Sequence, residues 1–163
     1  MTAPISRAYL PQTVTLFNVY KDPETGTVEY HRTILEAVRV DQARVSLREA
    51  LRGAAKLRRI SVLLDRCATQ GYNLNETGRR VSKSYRPWRV WSVLPAEEKA
   101  RAWTLNVGDL MAAAIGEKTT VCPEFEPARE QEFKLEHDLR AVIDIAPNID
   151  KDGSVHSWEV GLD

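Results

Sequence analysis

The stretch around which the chain is organised reads Trp103-Thr-Leu-Asn-Val-Gly-Asp-Leu-Met-Ala-Ala-Ala-Ile-Gly116. Its first residues alternate apolar and polar side chains, with Trp103, Leu105 and Val107 on one face, which predicts a short strand. Gly108 tolerates a positive φ and Asp109 can accept hydrogen bonds from the local backbone, so the pair predicts a tight turn. The small side chains of the following alanines would let another strand or a neighbouring subunit approach closely.

Two hairpins are predicted on either side of this stretch. Residues 13–20 are β-branched and aromatic, and the turn at 21–26 contains Pro23 and Gly26, which are typical turn residues. A second hairpin is expected around the turn at 147–153. The predicted strands cover residues 13–20, 27–35, 37–41, 60–65, 137–145 and 155–160, with a short one at 119–122.

The remaining segments are less regular. Residues 1–12 predict an extended N-terminal arm, loose unless a partner holds it, ahead of a single β-rich domain at 13–163. Residues 69–83 are polar and predict a long exposed loop of the kind that often binds partners. One helical turn is expected at 95–101 and a short surface helix from Pro127.

Seven or eight short strands and few helices favour a mainly β protein, a small barrel or sandwich of antiparallel strands with one or two short helices. Residues 42–59 fit either a short basic amphipathic helix or a strand followed by a loop, and the sequence leaves both open.

Basic and acidic side chains number 23 each, but they are unevenly distributed. Residues 1–100 hold 17 basic and 10 acidic side chains, a net of +7, and residues 101–163 hold 6 and 13, a net of −7. If the fold separates these halves, the molecule has two electrically different ends and can stack head to tail or lie between unlike partners. A solvated surface without such a role is the simpler explanation.

No run approaches the ~18 apolar residues needed to cross a bilayer, and the first twenty residues lack a charged-then-apolar leader. We therefore expect assembly in a cytoplasm and no membrane partner. Cys67 and Cys122 are too few and too distant for a disulfide scaffold or a zinc cluster. The sequence contains no phosphate loop, nucleophile elbow or paired-cysteine motif, so we expect no enzymatic activity and no cofactor.

One motif has the spacing of a twelve-residue calcium loop. Asn148, Asp150 and Asp152 alternate before Gly153, and Glu159 stands at the terminal position, although an aspartate is usual where Asn148 stands. The flanking residues predict strands rather than helices, and a strand at 158–160 would point Glu159 away from the turn. The motif is therefore a weak metal candidate, and we expect no metal.

A basic stretch at residues 39–66 carries eight basic side chains against three acidic ones. Its candidates for contact with DNA phosphates are Arg48, Arg52, Arg58 and Arg59, with an affinity that should fall steeply with salt. A solvated face, or an acidic partner such as residues 124–136 of a neighbouring subunit, explains the stretch equally well.

Three segments of the sequence, taken in order, resemble those of a known group of proteins. They are Thr13-Val-Thr-Leu-Phe-Asn-Val-Tyr-Lys-Asp-Pro-Glu-Thr-Gly26 leading to Tyr30-His-Arg-Thr-Ile34, then Trp103-Thr-Leu-x-x-Gly-Asp109, then Gly153-Ser-Val-His-Ser-Trp-Glu-Val-Gly161. In this order they resemble small structural proteins of tailed phages and prophages, grouped with minor capsid or head–tail joining components. The arginine-rich residues 42–59 and the long polar stretch after Cys67 are departures from that resemblance.

The resemblance implies a virion protein without catalytic residues, assembled in the host cytoplasm. It would be a subunit of a ring at the head–tail junction, as connector, stopper or head-completion protein, or in the viral tail. Its partners would be copies of itself, portal, adaptor or tail subunits, and packaged DNA bound without sequence preference. The alternative is a free-standing regulatory or nucleic-acid-binding module in the cytoplasm.

For such a ring, we expect the loop at 69–83 and the termini to contact neighbours by strand addition or helix docking. Trp88 and Trp91 are candidate anchors, with core packing expected for at least one of them. The other candidate partner-binding residues are Asn73, Asn75, Arg79 and Arg80.

Overall fold

The computed structural model describes residues 3–42 and 60–163. The strands of this part are β1 (Gln12–Lys21), β2 (Val28–Gln42), β3 (Ile60–Asp65), β4 (Gln70–Leu74), β5 (Arg80–Tyr85), β6 (Ala102–Trp103), β7 (Leu110–Ala112), β8 (Arg140–Ile149) and β9 (Val155–Leu162). The short helices are α1 (Trp88–Trp91), α2 (Ala96–Lys99) and α3 (Glu130–Glu136), with 3-10 turns at Arg7–Tyr9 and Pro127–Arg129.

Six of these strands close an antiparallel barrel. They follow the order β1-β7-β8-β9-β3-β2, and β2 pairs back onto β1. Closure leaves no free edge among the six strands. The predicted fold class, a mainly β barrel with few short helices, is confirmed.

The barrel core contains residues from the six strands and also residues from the stretch at 103–116. Val14, Leu16, Val62 and other β-branched or leucine side chains fill the interior, and Trp103 and Leu105 join them from outside the six strands. Val107 is 58% exposed, so the apolar face predicted for residues 103–107 ends at Leu105. The predicted turn follows, with Gly108 at φ 99°.

Strand β2 is long because it serves two partners on one edge. Its residues 34–36 pair with β4 and its residues 38–42 pair with β3. The change of partner falls at Ala37, which has a φ of 60° and lies at a register shift against β1. The separate strand predicted at 37–41 is therefore the second half of β2, and Ala37 is the kink between them.

Strands β4, β5 and β6 extend the sheet beyond the barrel, which corrects the loop predicted at 69–83. Strand β4 pairs with both β2 and β5, and only residues 75–79 form the turn of this hairpin. The polar composition of residues 69–83 predicted a loop. Instead, many of these polar side chains lie on the exposed face of a hairpin that contacts the barrel on its other side. Glycine at Gly71 is required by the close approach of the Trp103 indole, rather than by a turn.

The predicted N-terminal arm packs against its own chain, which corrects the expectation that it is loose. The backbone N–H of Ile5 donates to Oδ2 of Asp65 at 3.0 Å. Leu10 is buried against Ala37 and Ala68. A small apolar cluster therefore holds this segment on the outside of the barrel without a partner.

Residues 119–139 cross the outer surface of β1 and β2. The backbone N–H of Cys122 donates to Oγ1 of Thr15, and Phe125 and Phe133 pack edge-on against Phe17. The strand predicted at 119–122 is reduced to a single bridge between Thr13 and Thr119. The helix predicted from Pro127 is confirmed, as a 3-10 turn that continues into α3.

Candidate assembly surfaces

The β4–β5 hairpin uses its two asparagines to hold its own structure. Oδ1 of Asn73 accepts from Nε of Arg32, and its Nδ2 donates to Oε1 of Glu124. Oδ1 of Asn75 accepts from the backbone N–H groups of Thr77 and Arg79 across the turn. Both were predicted to bind partners, but the structure places their polar atoms in contacts within the chain.

The two predicted arginines lie at the tip of the same hairpin and are exposed. The Arg80 guanidinium lies 4.2 Å from the centre of the Tyr72 ring and 2.9 Å from Oε1 of Glu36. Arg79 has no carboxylate partner among the described residues. Within the described part of the chain, Arg79 is therefore the unpaired cation of the two, and Arg80 is held in place by its neighbours.

The two predicted tryptophan anchors have different environments. Trp91 is 0% exposed, and its Nε1 donates to the backbone oxygen of Ala102 at 3.3 Å. Trp88 stacks on it at a centroid distance of 5.6 Å and is half-buried. Trp91 is thus a core residue, which corrects its prediction as a surface anchor, while Trp88 covers it and remains partly accessible.

A buried lysine completes the packing around Trp91. Nζ of Lys99 lies 3.3 Å from the centre of the Tyr20 ring and 5.3 Å from that of Trp91. Because aromatic faces attract a desolvated cation, these two rings stabilise an ammonium that makes no ion pair in the described part of the chain. The contact ties α2 to the end of the β1–β2 hairpin.

A second buried lysine joins the projecting hairpin to β2. Nζ of Lys83 donates to the backbone oxygen of Arg32 at 2.9 Å. Burial, with a smaller contribution from the nearby Arg32, lowers the pKa of Lys83 to about 8 against the opposing effect of Glu124. Arg32 in turn donates to the backbone oxygen of Cys122. These contacts connect β5, β2 and the segment at 119–139.

Asp109 fixes the turn at Gly108 to the barrel. Its carboxylate accepts from the backbone N–H of Asn106, as the sequence predicts, and also from the backbone N–H of Val19 and from Nδ2 of Asn18. Burial raises the pKa of Asp109 to about 6, against the effect of these three donors. The Asp109 carboxylate therefore has a structural role, because these three hydrogen bonds shape the turn and hold it against β1.

Acidic side chains dominate the surface around α3. Residues 124–138 hold six acidic side chains and two basic ones. Three of the carboxylates, on Glu126, Glu132 and Glu136, converge on Arg129. One guanidinium cannot neutralise three carboxylates, so this surface keeps an excess of negative charge.

The calcium-loop motif is part of a β-hairpin. Strand β8 includes Asn148, whose Nδ2 donates to Oγ of Ser157 across to β9. Asp152 accepts from Ser154 within the turn, whereas Glu159 pairs with Ala146 further along the hairpin. Regular strand pairing therefore carries Glu159 away from the turn that contains Asp150 and Asp152.

The predicted DNA-facing residues Arg48, Arg52, Arg58 and Arg59 lie outside the described residues. At the start of the same basic stretch, the Arg39 guanidinium lies 2.7 Å from Oδ2 of Asp41 and stacks on Tyr9. Residues 3–42 and 60–163 contain no cluster of three or more histidine, cysteine, aspartate or glutamate side chains arranged to hold a metal. No helix within these ranges has the length and apolar character of a membrane span.

Comparison with protein-family models, curated proteins and solved structures gives no match to this chain. The structure itself defines the class of protein, a small closed antiparallel barrel with an added three-strand extension and short surface helices. The candidate functional features of this barrel are the exposed surfaces of the β4–β5 hairpin, of α1 and of the region around α3.

Several exposed residues on these surfaces were missed by sequence reasoning. Arg86 and Arg89 flank Trp88, and Val90 and Val93 are exposed around α1. Leu135 on α3 is 82% exposed. The alternation of basic and apolar residues around Trp88 is visible in the sequence, but only the burial of Trp91 shows which of them point outwards.

Proposed function

We propose that this protein is a structural subunit of a tailed-phage or prophage particle, and that it assembles with copies of itself into a ring at the head–tail junction or in the tail. The observation that carries the proposal is the resemblance of three segments to proteins of that kind. Those segments fall in the barrel and in the stretch at 103–109 that packs into it. The residues that carry the resemblance therefore lie in the part of the chain on which the fold depends.

The surface of the barrel supports a role in assembly. Two added layers, the β4–β5–α1 region and residues 119–139, carry exposed apolar side chains on Val90, Val93 and Leu135. Such residues suit contacts with other proteins, because burying them in an interface removes apolar area from water.

Quantitative mass spectrometry of purified particles tests the proposal. Copies of this chain are counted relative to the major capsid protein in the phage or induced prophage that encodes it. A small, fixed number of copies per particle supports a ring. A far larger number indicates a capsid-lattice or tail-tube protein, and absence from the particles contradicts the proposal.

The second candidate is a nucleic-acid-binding or regulatory module, which the excess of basic side chains at 39–66 favours. It predicts that the isolated protein binds duplex DNA at low salt and loses that affinity as salt rises. Neutralising Arg48, Arg52, Arg58 and Arg59 together should abolish such binding. A protein that binds no DNA even at low salt excludes this candidate.

A further inference from the structure

We propose that the ring forms by a head-to-tail contact in which residues 79–93 of one copy dock against residues 124–138 of the next copy. We call these the basic arm and the acidic segment. The inference rests on the proposed function, because it names the surfaces through which copies of this chain would meet. Two different surfaces that bind each other form a heterologous interface, which closes into a ring when the rotation between subunits permits.

The fold places Trp91 of the basic arm and Phe125 of the acidic segment on opposite sides of one two-stranded ribbon. Alternate residues of a strand point to opposite faces. In the β1–β2 hairpin, Phe17 and Tyr30 contact Phe125 of the acidic segment, whereas Tyr20 and His31 contact Trp91 of the basic arm. The part of the basic arm around Trp91 and the part of the acidic segment around Phe125 therefore face away from each other, as successive head-to-tail contacts require.

Of the positive charges of the basic arm, its own chain pairs Arg80 with Glu36 and buries Lys83, and leaves the other three without a carboxylate partner among the described residues. Residues 79–93 contain five basic side chains and no acidic one. Arg86 and Arg89 are exposed, and neither contacts a carboxylate within the described residues. The Arg86 guanidinium donates to the backbone oxygen of Tyr85. These two guanidinium groups are free to pair with carboxylates of another copy.

The acidic segment carries the complementary charge. Its six acidic side chains outnumber its two basic ones, and Glu132 and Glu136 share Arg129 with Glu126. The side chains of Glu132 and Glu136 are 71% and 50% exposed. They present oxygen atoms that a partner's guanidinium can reach, and complementary charge of this kind sets orientation and speeds association.

Apolar side chains lie within both charged surfaces. Val93 is 79% exposed beside the arginines of the basic arm, and Leu135 is 82% exposed between Glu132 and Glu136. An apolar centre with a charged rim is the usual composition of a specific interface. The pairing of Val90 and Val93 with Leu135 would provide this centre between neighbouring copies.

Cysteine cross-linking of the full-length chain tests the contact. The background is Cys67→Ser, because Cys67 is the exposed native thiol. The test variant adds Val90→Cys and Leu135→Cys, and the matched controls carry one of the two. Since the two positions belong to segments that contact opposite sides of the ribbon, we expect mild oxidation to give a ladder of dimers, trimers and larger species from the double variant, and dimers at most from either single variant.

Charge variants then test the complementarity in the same assay. Arg86→Glu with Arg89→Glu should reduce the ladder about tenfold, as should Glu132→Lys with Glu136→Lys, because each places like charges in contact. Mixing the two charge variants should restore it, since each supplies the surface that the other has lost. Arg7→Glu with Lys151→Glu changes the net charge by the same amount as the two arginine substitutions, at exposed sites elsewhere, and should leave the ladder unchanged.

The cross-linking is carried out on concentrated protein and on purified particles. No ladder in either sample, or a ladder that the charge variants leave unchanged, would overturn the head-to-tail contact. If the protein is present in particles at a fixed copy number under those conditions, the proposed function stands and only the interface is wrong. A charge-dependent ladder in solution together with absence from particles would support the interface and contradict the virion role.

Discussion

Replacing Gly71 by alanine tests whether the projecting hairpin is held by its close contact with Trp103. A Cβ atom at Gly71 would lie 2.7 Å from both Cδ1 and Nε1 of Trp103, and 3.1 Å from Cγ2 of Thr33. Ordinary van der Waals contact begins near 3.4 Å, so the indole would have to move by the difference, about 0.7 Å. The backbone of Gly71 is not in the left-handed region, so the expected cost comes from packing alone.

The packing around Trp103 determines how much stability Gly71→Ala should cost. It is 3% exposed and packs against Tyr85 at 5.1 Å and Trp158 at 6.5 Å between ring centroids. Overpacking a site of this kind costs about 1–3 kcal/mol, and replacing glycine recovers about 0.4–1 kcal/mol through the unfolded chain. We expect the free energy of unfolding to fall by about 1–2 kcal/mol.

Gly161→Ala is the matched control, because it also creates a close contact in a strand. Its Cβ atom would overlap the carboxylate of Asp144 more closely than that of Gly71 overlaps Trp103. Asp144 is exposed, however, so its side chain can rotate away. We expect a change within about 0.5 kcal/mol. Urea unfolding followed by tryptophan fluorescence measures both variants. A neutral Gly71→Ala, or a larger loss of stability for Gly161→Ala, would show that the contact with Trp103 does not exclude a side chain at Gly71.

Three further predictions concern single sites and use the same unfolding measurement. Trp91→Ala should cost about 3–5 kcal/mol because the side chain is fully buried, and Trp88→Ala should cost less than half as much; equal losses would show that Trp88 is also a core residue. The folded pKa of Lys83, about 8, lies below the 10.5 of the unfolded chain, so the folded protein binds fewer protons and gains stability as pH rises between those values. Lys83→Met should lack this gain, which amounts to about 3 kcal/mol, and parallel pH profiles for the two proteins would contradict the assignment. Ala37→Gly should be neutral or stabilising by up to about 1 kcal/mol, because glycine accepts the φ of 60°, and Ala37→Val should be clearly destabilising; the opposite order would exclude backbone strain at this position.

The two hairpins were predictable because their signals are local. Alternating side chains and turn residues such as Pro23 and Gly26 lie within a few positions of one another, and β1, β2, β8 and β9 form around them. The β4–β5 hairpin was not predictable in this way. Its strand β4 depends on pairing with β2, more than thirty residues earlier, and its polar side chains resemble those of a loop.

The candidate partner-binding residues show the same difference between local signals and long-range contacts. Sequence reasoning singled out Trp88 and Trp91 together, but the packing of Tyr20, His31 and Lys99 around Trp91 separates a core residue from a partly exposed one. Burial of this kind depends on segments that are distant along the chain. No local pattern carries that information.

The β-rich class, the two strongest hairpins, the helix from Pro127 and the charge difference between the two halves can all be predicted from the sequence alone. These follow from side-chain periodicity, turn chemistry and composition, which are properties of neighbouring residues. Three features become visible only in the folded chain: six strands close into a barrel, β2 changes partner at Ala37, and Trp91 and Phe125 lie on opposite sides of one ribbon. Those features depend on pairing and packing between distant segments, whose geometry the order of residues does not display.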